Sequence, residues 1–257
     1  VTEPPGPQPV AQTPAARPEA TPPAAPVRQR WRLHVAVPAA DSPETAAGGR
    51  RWPGILAASG LPLAGEGPGR GRAVVAAPLP LGIAGEREVV DVFLAARLPV
   101  TAVRDAIGAA LPDGWALVDL HDVWIGATAA PAAIVAADYR VVVAGAPARA
   151  IGEGARALLA APALPRPGRR DRQAAGYDLR PLVAALEVRE TDAAGVTIAM
   201  RLRHGPAAVG RPEEVVAALG EPPAPPLPGS LRVVSITRER LVLAGEPDAP
   251  GEGPDHR

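Results

Sequence analysis

Between Arg72 and Ala95 the chain reads RAVVAAPLPLGIAGEREVVDVFLA. Two runs rich in valine, RAVVAAP and EVVDVFLA, have the composition of β-strands. Pro78 and Pro80 keep the chain between them extended. They also remove two backbone donors, which places this segment at a strand end or an edge. Two strands joined without a helix, each flanked on its outer side by a helical pattern, is the middle of a split βαβ unit.

Working outward, the flanks supply the rest of that unit. In RWRLHVAV (Arg30–Val37), Trp31, Leu33, Val35 and Val37 alternate with Arg32, His34 and Ala36, as in a half-buried strand. RRWPGILAASG (Arg50–Gly60) reads as a short helix stopped by Gly60. PVTAVRDAIGAALP is a second helix, opening near Thr101, with Val103, Ile107 and Leu111 repeating every four residues. WALVDLHDVWI closes the unit as an alternating strand. The order is strand, helix, strand, strand, helix, strand.

A second, less regular pass follows. YRVVVAG is a strand and PARAIGEGARALLAA a helix weakened by Gly152 and Gly154. PALPRPGRRDRQAAG is a loop or edge segment, and YDLRPLVAAL a short helix or turn. LEVRETDAAGVTIAMRLRH forms a hairpin. GRPEEVVAALG is a helix with Pro212 early, Glu213 and Glu214 in its first turn and Gly220 past its end. LRVVSITRERLVLAG ends the pass as a strand or strand pair. The expected fold class is α+β: two tandem ferredoxin-like units over residues 28–137 and 138–246. Residues 1–27 and 247–257, rich in proline and poor in large apolar side chains, are expected to be disordered tails.

Composition narrows the chemistry. The 257 residues carry 27 basic and 27 acidic side chains, every basic one an arginine. A net charge of zero gives no global field to draw in nucleic acid or an anionic membrane, although a local basic face remains open. The absence of cysteine excludes disulfides, thiolate metal sites and a cysteine nucleophile. No apolar stretch is long enough to span a bilayer, and a cytoplasmic location is expected.

Motifs for catalysis are missing. Without lysine the phosphate-binding P-loop signature fails, and GEGPGRGR (Gly65–Arg72) does not match a dinucleotide loop. None of the serines sits in a G-x-S-x-G turn. His34, His121 and His204 do not share metal-ligand spacing on one helix, and His34 falls on the polar, solvated side of its strand. Glu86, Glu88 and Asp91 read as a solvated acidic edge. Trp31, Trp52, Trp115 and Trp124 are expected as core or interface anchors. Arg166, Arg169, Arg170 and Arg172 form the one dense basic run.

Several segments together resemble a bacterial family of uncharacterised radical-SAM-linked proteins. They are GLPLA (Gly60–Ala64), the Arg72–Leu94 stretch, ALPDGWALVDLHDV (Ala110–Val123) and AADYRVVV (Ala136–Val143). In the second half they are YDLRPLVAALEV (Tyr177–Val188), MRLRHGPAAVGRPEEVVAALG (Met200–Gly220) and ITRERLVLAG (Ile236–Gly245). The resemblance covers residues 30–245 and implies a protein that accompanies a radical SAM enzyme. The family's His-Leu-Asp-type helix start and its Tyr-Ser-x-Gly-Phe-like loop are replaced here by ADSPETAAGGRRWPGIL and GEGPGRGR. No catalytic residue, metal or cofactor is therefore carried over.

The leading expectation is a non-catalytic accessory protein of a radical SAM enzyme, with its contact on the Gly60–Gly85 face. The alternative is an RNA-binding module. The candidate contact residues are Arg70, Arg72, Arg201, Arg203, His204 and Arg211; Arg169 and Arg170 extend the basic face in the RNA reading.

Overall fold

The computed structural model describes residues 25–42, 50–65, 72–167, 176–191, 193–204 and 209–245. Residues 1–24 and 247–257 of the expected tails, Arg70, and the Arg169, Arg170 and Arg172 run lie outside those residues. The fold is mixed α/β, built on one large and mostly antiparallel sheet.

The first half runs β1 (Gln29–Val37), α1 (Trp52–Ser59), β2 (Ala73–Val75), β3 (Ile83–Leu94), α2 (Val100–Ala110) and β4 (Ala116–Val123). Gly60 ends α1 in the left-handed conformation, as its sequence suggests. A four-residue helix, α3 (Ala130–Ala133), leads into the second half. This consists of β5 (Ile134–Ala144), α4 (Ala148–Ala160), β6 (Pro165–Arg166), β7 (Tyr177–Asp178), β8 (Val183–Thr191), β9 (Val196–Arg203), α5 (Pro212–Ala218) and β10 (Arg232–Leu243). β6 and β7 pair only with each other.

The sheet order is β4-β1-β3-β10-β5-β9-β8, with β2 also on β3. Every pairing is antiparallel except β3 with β10, where Ile83, Ala84 and Gly85 run parallel to Ile236, Thr237 and Arg238. β3 can meet both neighbours because it is twelve residues long. Its start pairs with β10 and its end with β2, where Ala73–Val75 face Val90–Val92. That parallel seam makes the two halves one sheet.

The core lies between the helices and one sheet face. Ile55, Leu56, Val103 and Ile107 pack with Trp31, Leu33, Val90 and Val92, and Ile151, Leu158 and Val215 continue the cluster over Val141, Ile198 and Leu202. On the opposite face of the first half, β1 and β3 carry Arg30, Arg32 and Asp91. The segment between β4 and α3 covers it, held by Arg30, whose guanidinium donates to the carbonyls of Ala127 (2.6 Å) and Thr128 (3.0 Å).

Three sequence expectations are corrected and a fourth is narrowed. Glu88 and Asp91 are not a solvated edge: they are 4% and 0% exposed. β3 is an interior strand; Glu88 pairs with the buried Arg238, and Asp91 is held by Arg30 (2.5 Å) and Arg32 (2.9 Å). His34 is buried rather than solvated, because β1 lies between β3 and β4. Its ring stacks on His121 with centroids 5.6 Å apart. Trp124 is not a core anchor: it is 79% exposed, while the other three tryptophans are buried. YDLRPLVAAL, expected as a short helix or turn, holds a turn and no α-helix. It gives β7, a single 3-10 turn at Arg180–Leu182 and the start of β8, where Val183 and Leu186 bury themselves against β9.

Candidate functional site

A cleft of about 460 Å³ opens where the two halves meet. One wall is the proline-rich segment before β3, contributing Ala77, Pro78, Pro80 and Ile83. The prolines hold it extended. The turn that follows needs Gly82, whose φ of 76° only glycine adopts readily, and the Gly82 amide donates to the carbonyl of Ala40 (2.9 Å).

The floor is an ion pair across the seam. Arg238 of β10 and Glu88 of β3 are 2% and 4% exposed. Arg238 Nε donates to Glu88 Oε1 at 2.8 Å, and Nη2 donates both to Glu88 Oε2 and to the carbonyl of Ala77 at 2.9 Å. Burial pushes the Glu88 carboxyl up, and the hydrogen bonds and charge of Arg238 oppose that shift. The two-point geometry is that of an ionised pair. Tyr139 of β5 lies beside it and is buried; burial raises its phenol above the ordinary range, and the charge of Arg238 opposes that shift.

The opposite wall comes from the chain after β9. His204 forms an isolated bridge with Val209, and its amide donates to the Val135 carbonyl (2.9 Å). Its Nε2 is buried without a hydrogen-bond partner among the described residues. Burial and the nearby Arg238 lower its imidazole from the usual value, so the ring is neutral at neutral pH. Arg211, Glu213 and Glu214 stand at the rim, at the start of α5.

The structure divides the six candidate contact residues. His204 and Arg211 meet in this cleft. Arg201 and Arg203 lie on the other sheet face, in an open depression of about 630 Å³. There Arg201 (2.7 Å) and Arg240 (2.8 Å) both donate to Asp138, pulling its carboxyl below the usual range against the effect of burial. Arg72 sits in the first half with its guanidinium 4.9 Å from the Phe93 ring centroid. Arg70 is outside the described residues. The described arginines therefore do not form one basic face.

Tyr139, Glu88 and Arg238 are the residues that sequence reasoning missed. One signal was available. Along ITRERLVL, Arg238 shares the period-two face of Ile236, and an arginine on an inward face needs a buried carboxylate.

The fold and cleft define a mixed α/β protein with a polar pocket at the seam between its halves. The chain belongs to a family described as uncharacterized proteins conserved in bacteria, DUF2344, whose pattern matches residues 70–212. Among solved structures it is similar to an unknown protein from Galdieria sulphuraria. The identity is 19%, the match covers 74% of this chain and 89% of that one, and the TM-score is 0.23. No curated protein matches. Among the described residues, no helix is long and apolar enough to cross a membrane.

Proposed function

We propose that this chain is a cytoplasmic accessory protein of a radical SAM enzyme, and that it engages the enzyme or the enzyme's substrate through the seam cleft. The observation that carries this reading is a convergence. Ala77, Pro78, Pro80 and Ile83 on one side, and His204 and Val209–Glu214 on the other, more than a hundred residues apart, all belong to segments that carry the family resemblance and all line the same cleft. A chain without cysteine cannot supply the thiolates that hold an iron–sulfur cluster, so the radical chemistry in such a pair belongs to the partner.

The reading also takes each half as a ferredoxin-like unit. Its support is the strand order: β4-β1-β3-β2 in the first half and β10-β5-β9-β8 in the second are the same arrangement of successive strands. The family acts, on this reading, through a duplicated scaffold whose working surface is the line where the copies join.

The test is a pull-down of the tagged protein from its native host, divided into RNase-treated and untreated halves. The expected result is a radical SAM enzyme recovered in both halves, whose turnover changes when the purified chain is added. A purified pair that neither co-elutes on size exclusion nor alters turnover overturns the reading. Enrichment of RNA, with protein partners lost after RNase treatment, replaces it with the RNA-binding alternative.

A further inference from the structure

We propose that the outer sheet face of the second half is a docking surface for an extended, acidic segment of a partner protein. This face is the one turned away from the seam cleft, so its occupant is separate from whatever the cleft engages.

The two halves carry matching charge clusters on their outer faces. In the first half two arginines, Arg30 and Arg32, hold one aspartate, Asp91. In the second half Arg201 and Arg240 hold Asp138, at 2.7 and 2.8 Å. Each cluster keeps an excess of one positive charge. The first is covered. Arg30, Arg32 and Asp91 are all buried, and Arg30 donates to the Ala127 and Thr128 carbonyls of the segment laid across them. The second is open. The side chains of Arg201, Arg240 and Asp138 are 27%, 23% and 18% exposed. They stand in the depression of about 630 Å³, and every described residue that lines it belongs to β5, β8, β9 or β10. The first half thus shows what such a cluster holds when it is occupied: a crossing stretch of polypeptide, taken through its oxygens.

The strand register says which polypeptide fits the second. Ala185, Arg201, Asp138 and Arg240 form one row across the sheet, and Arg203, Ala136 and Val242 form the next. Over these two rows three arginines face one aspartate, and Arg203 is exposed. The alanines leave room for a backbone to lie close to the sheet between the guanidinium groups. The other acids of the face are already matched or lie one row further on. Glu187 is 3.6 Å from Arg189, and Glu86 and Glu239 share Arg140. Carboxylates therefore gain most over Arg201 and Arg203, where they meet charge-assisted donors. The single aromatic residue that lines the depression, Tyr139, is buried, so nucleic-acid bases find nothing to stack on. That favours a protein segment over RNA.

The test titrates the isotopically labelled full chain with a short alternating Glu-Ala peptide, its Gln-Ala counterpart and a short oligouridylate, and follows the amide NMR shifts. The Glu-Ala peptide is expected to move the amides of Ala136, Ala185, Arg201 and Arg203 and to leave those of Arg30, Arg32 and Asp91 in place. It should bind roughly ten- to a hundredfold more tightly than the Gln-Ala peptide, the value of one charge-assisted hydrogen bond. That difference should shrink as salt is added. Arg203→Gln changes an exposed side chain and leaves the Asp138 cluster intact; it should weaken the Glu-Ala peptide by a similar factor. Absence of Glu-Ala binding, equal binding of the two peptides, or shifts confined to other surfaces overturns the proposal. So does an Arg203→Gln protein that is folded by circular dichroism and binds the Glu-Ala peptide as before. Tighter binding of the oligouridylate than of the Glu-Ala peptide also overturns it, and makes the face a nucleic-acid surface instead.

Discussion

His34 shows how a single side chain can set the acid response of this protein. Burial first, then the charges of Arg87 and His121, lower its pKa to about 4, with Asp119 opposing them. In the unfolded chain the imidazole titrates near its ordinary value of 6.5. Above that value the ring is neutral in both states and costs nothing. As the pH falls below it, the unfolded chain gains a proton that the folded chain refuses, so stability declines until the folded pKa is reached. Integrated over that window the loss is about 3 kcal/mol. His204, lowered in the same sense, adds to the slope. Urea denaturation of wild type and His34→Gln at pH 7 and pH 5 checks this: the variant is expected to lose less stability on acidification. Equal losses in the two proteins would show that His34 does not contribute. The alternation of RWRLHVAV made the two faces of β1 legible, but not the burial of both. That depends on β4 and on the covering segment, whose Ala127 and Thr128 lie about a hundred residues further along. The ion pairs of Asp91 and Glu88 were hidden for the same reason. Their arginines come from positions 30, 32 and 238, and no local pattern links them.

Elements were most legible where a helix or strand carries its own period. α2 and α5 appear close to the bounds that their valine, isoleucine and proline positions suggest. In YDLRPLVAAL, expected as a short helix or turn, the turn forms at Arg180–Leu182 and no α-helix follows, because Val183 and Leu186 serve a strand, a use that pairing with β9 imposes and composition does not reveal. α4 offers a controlled comparison, since it contains two glycines that lower helix propensity equally. A Cβ at Gly152 would meet nothing within 4 Å, whereas one at Gly154 would come within 2.9 Å of the Leu219 carbonyl oxygen, just beyond α5. Gly152→Ala is therefore expected to stabilise the protein by up to about 1 kcal/mol. Gly154→Ala should destabilise it by about 1–3 kcal/mol, because α4 and the end of α5 must separate. Thermal denaturation of the two variants checks the opposite signs; shifts in the same direction would mean that α4 and α5 do not approach so closely.

At the scale of the molecule, the seam between β3 and β10 couples the halves. Three parallel residue pairs and the buried Arg238–Glu88 bridge span it. The four tryptophans all lie in the first half, so their fluorescence follows that half alone, while far-ultraviolet circular dichroism follows both. The two probes are expected to give one coincident urea transition. Separate midpoints would show that each half unfolds by itself. The seam also fixes an order of events during synthesis. β10 is the last strand of the sheet to leave the ribosome, yet it belongs near the sheet's middle. Until Leu243 has emerged, the nascent chain carries two open strand edges, one on β3 and one on β5, both bordered by apolar residues. Such edges are templates for pairing with other chains. The interval between the translation of β9 and that of β10 is when this protein most needs shelter in the cell.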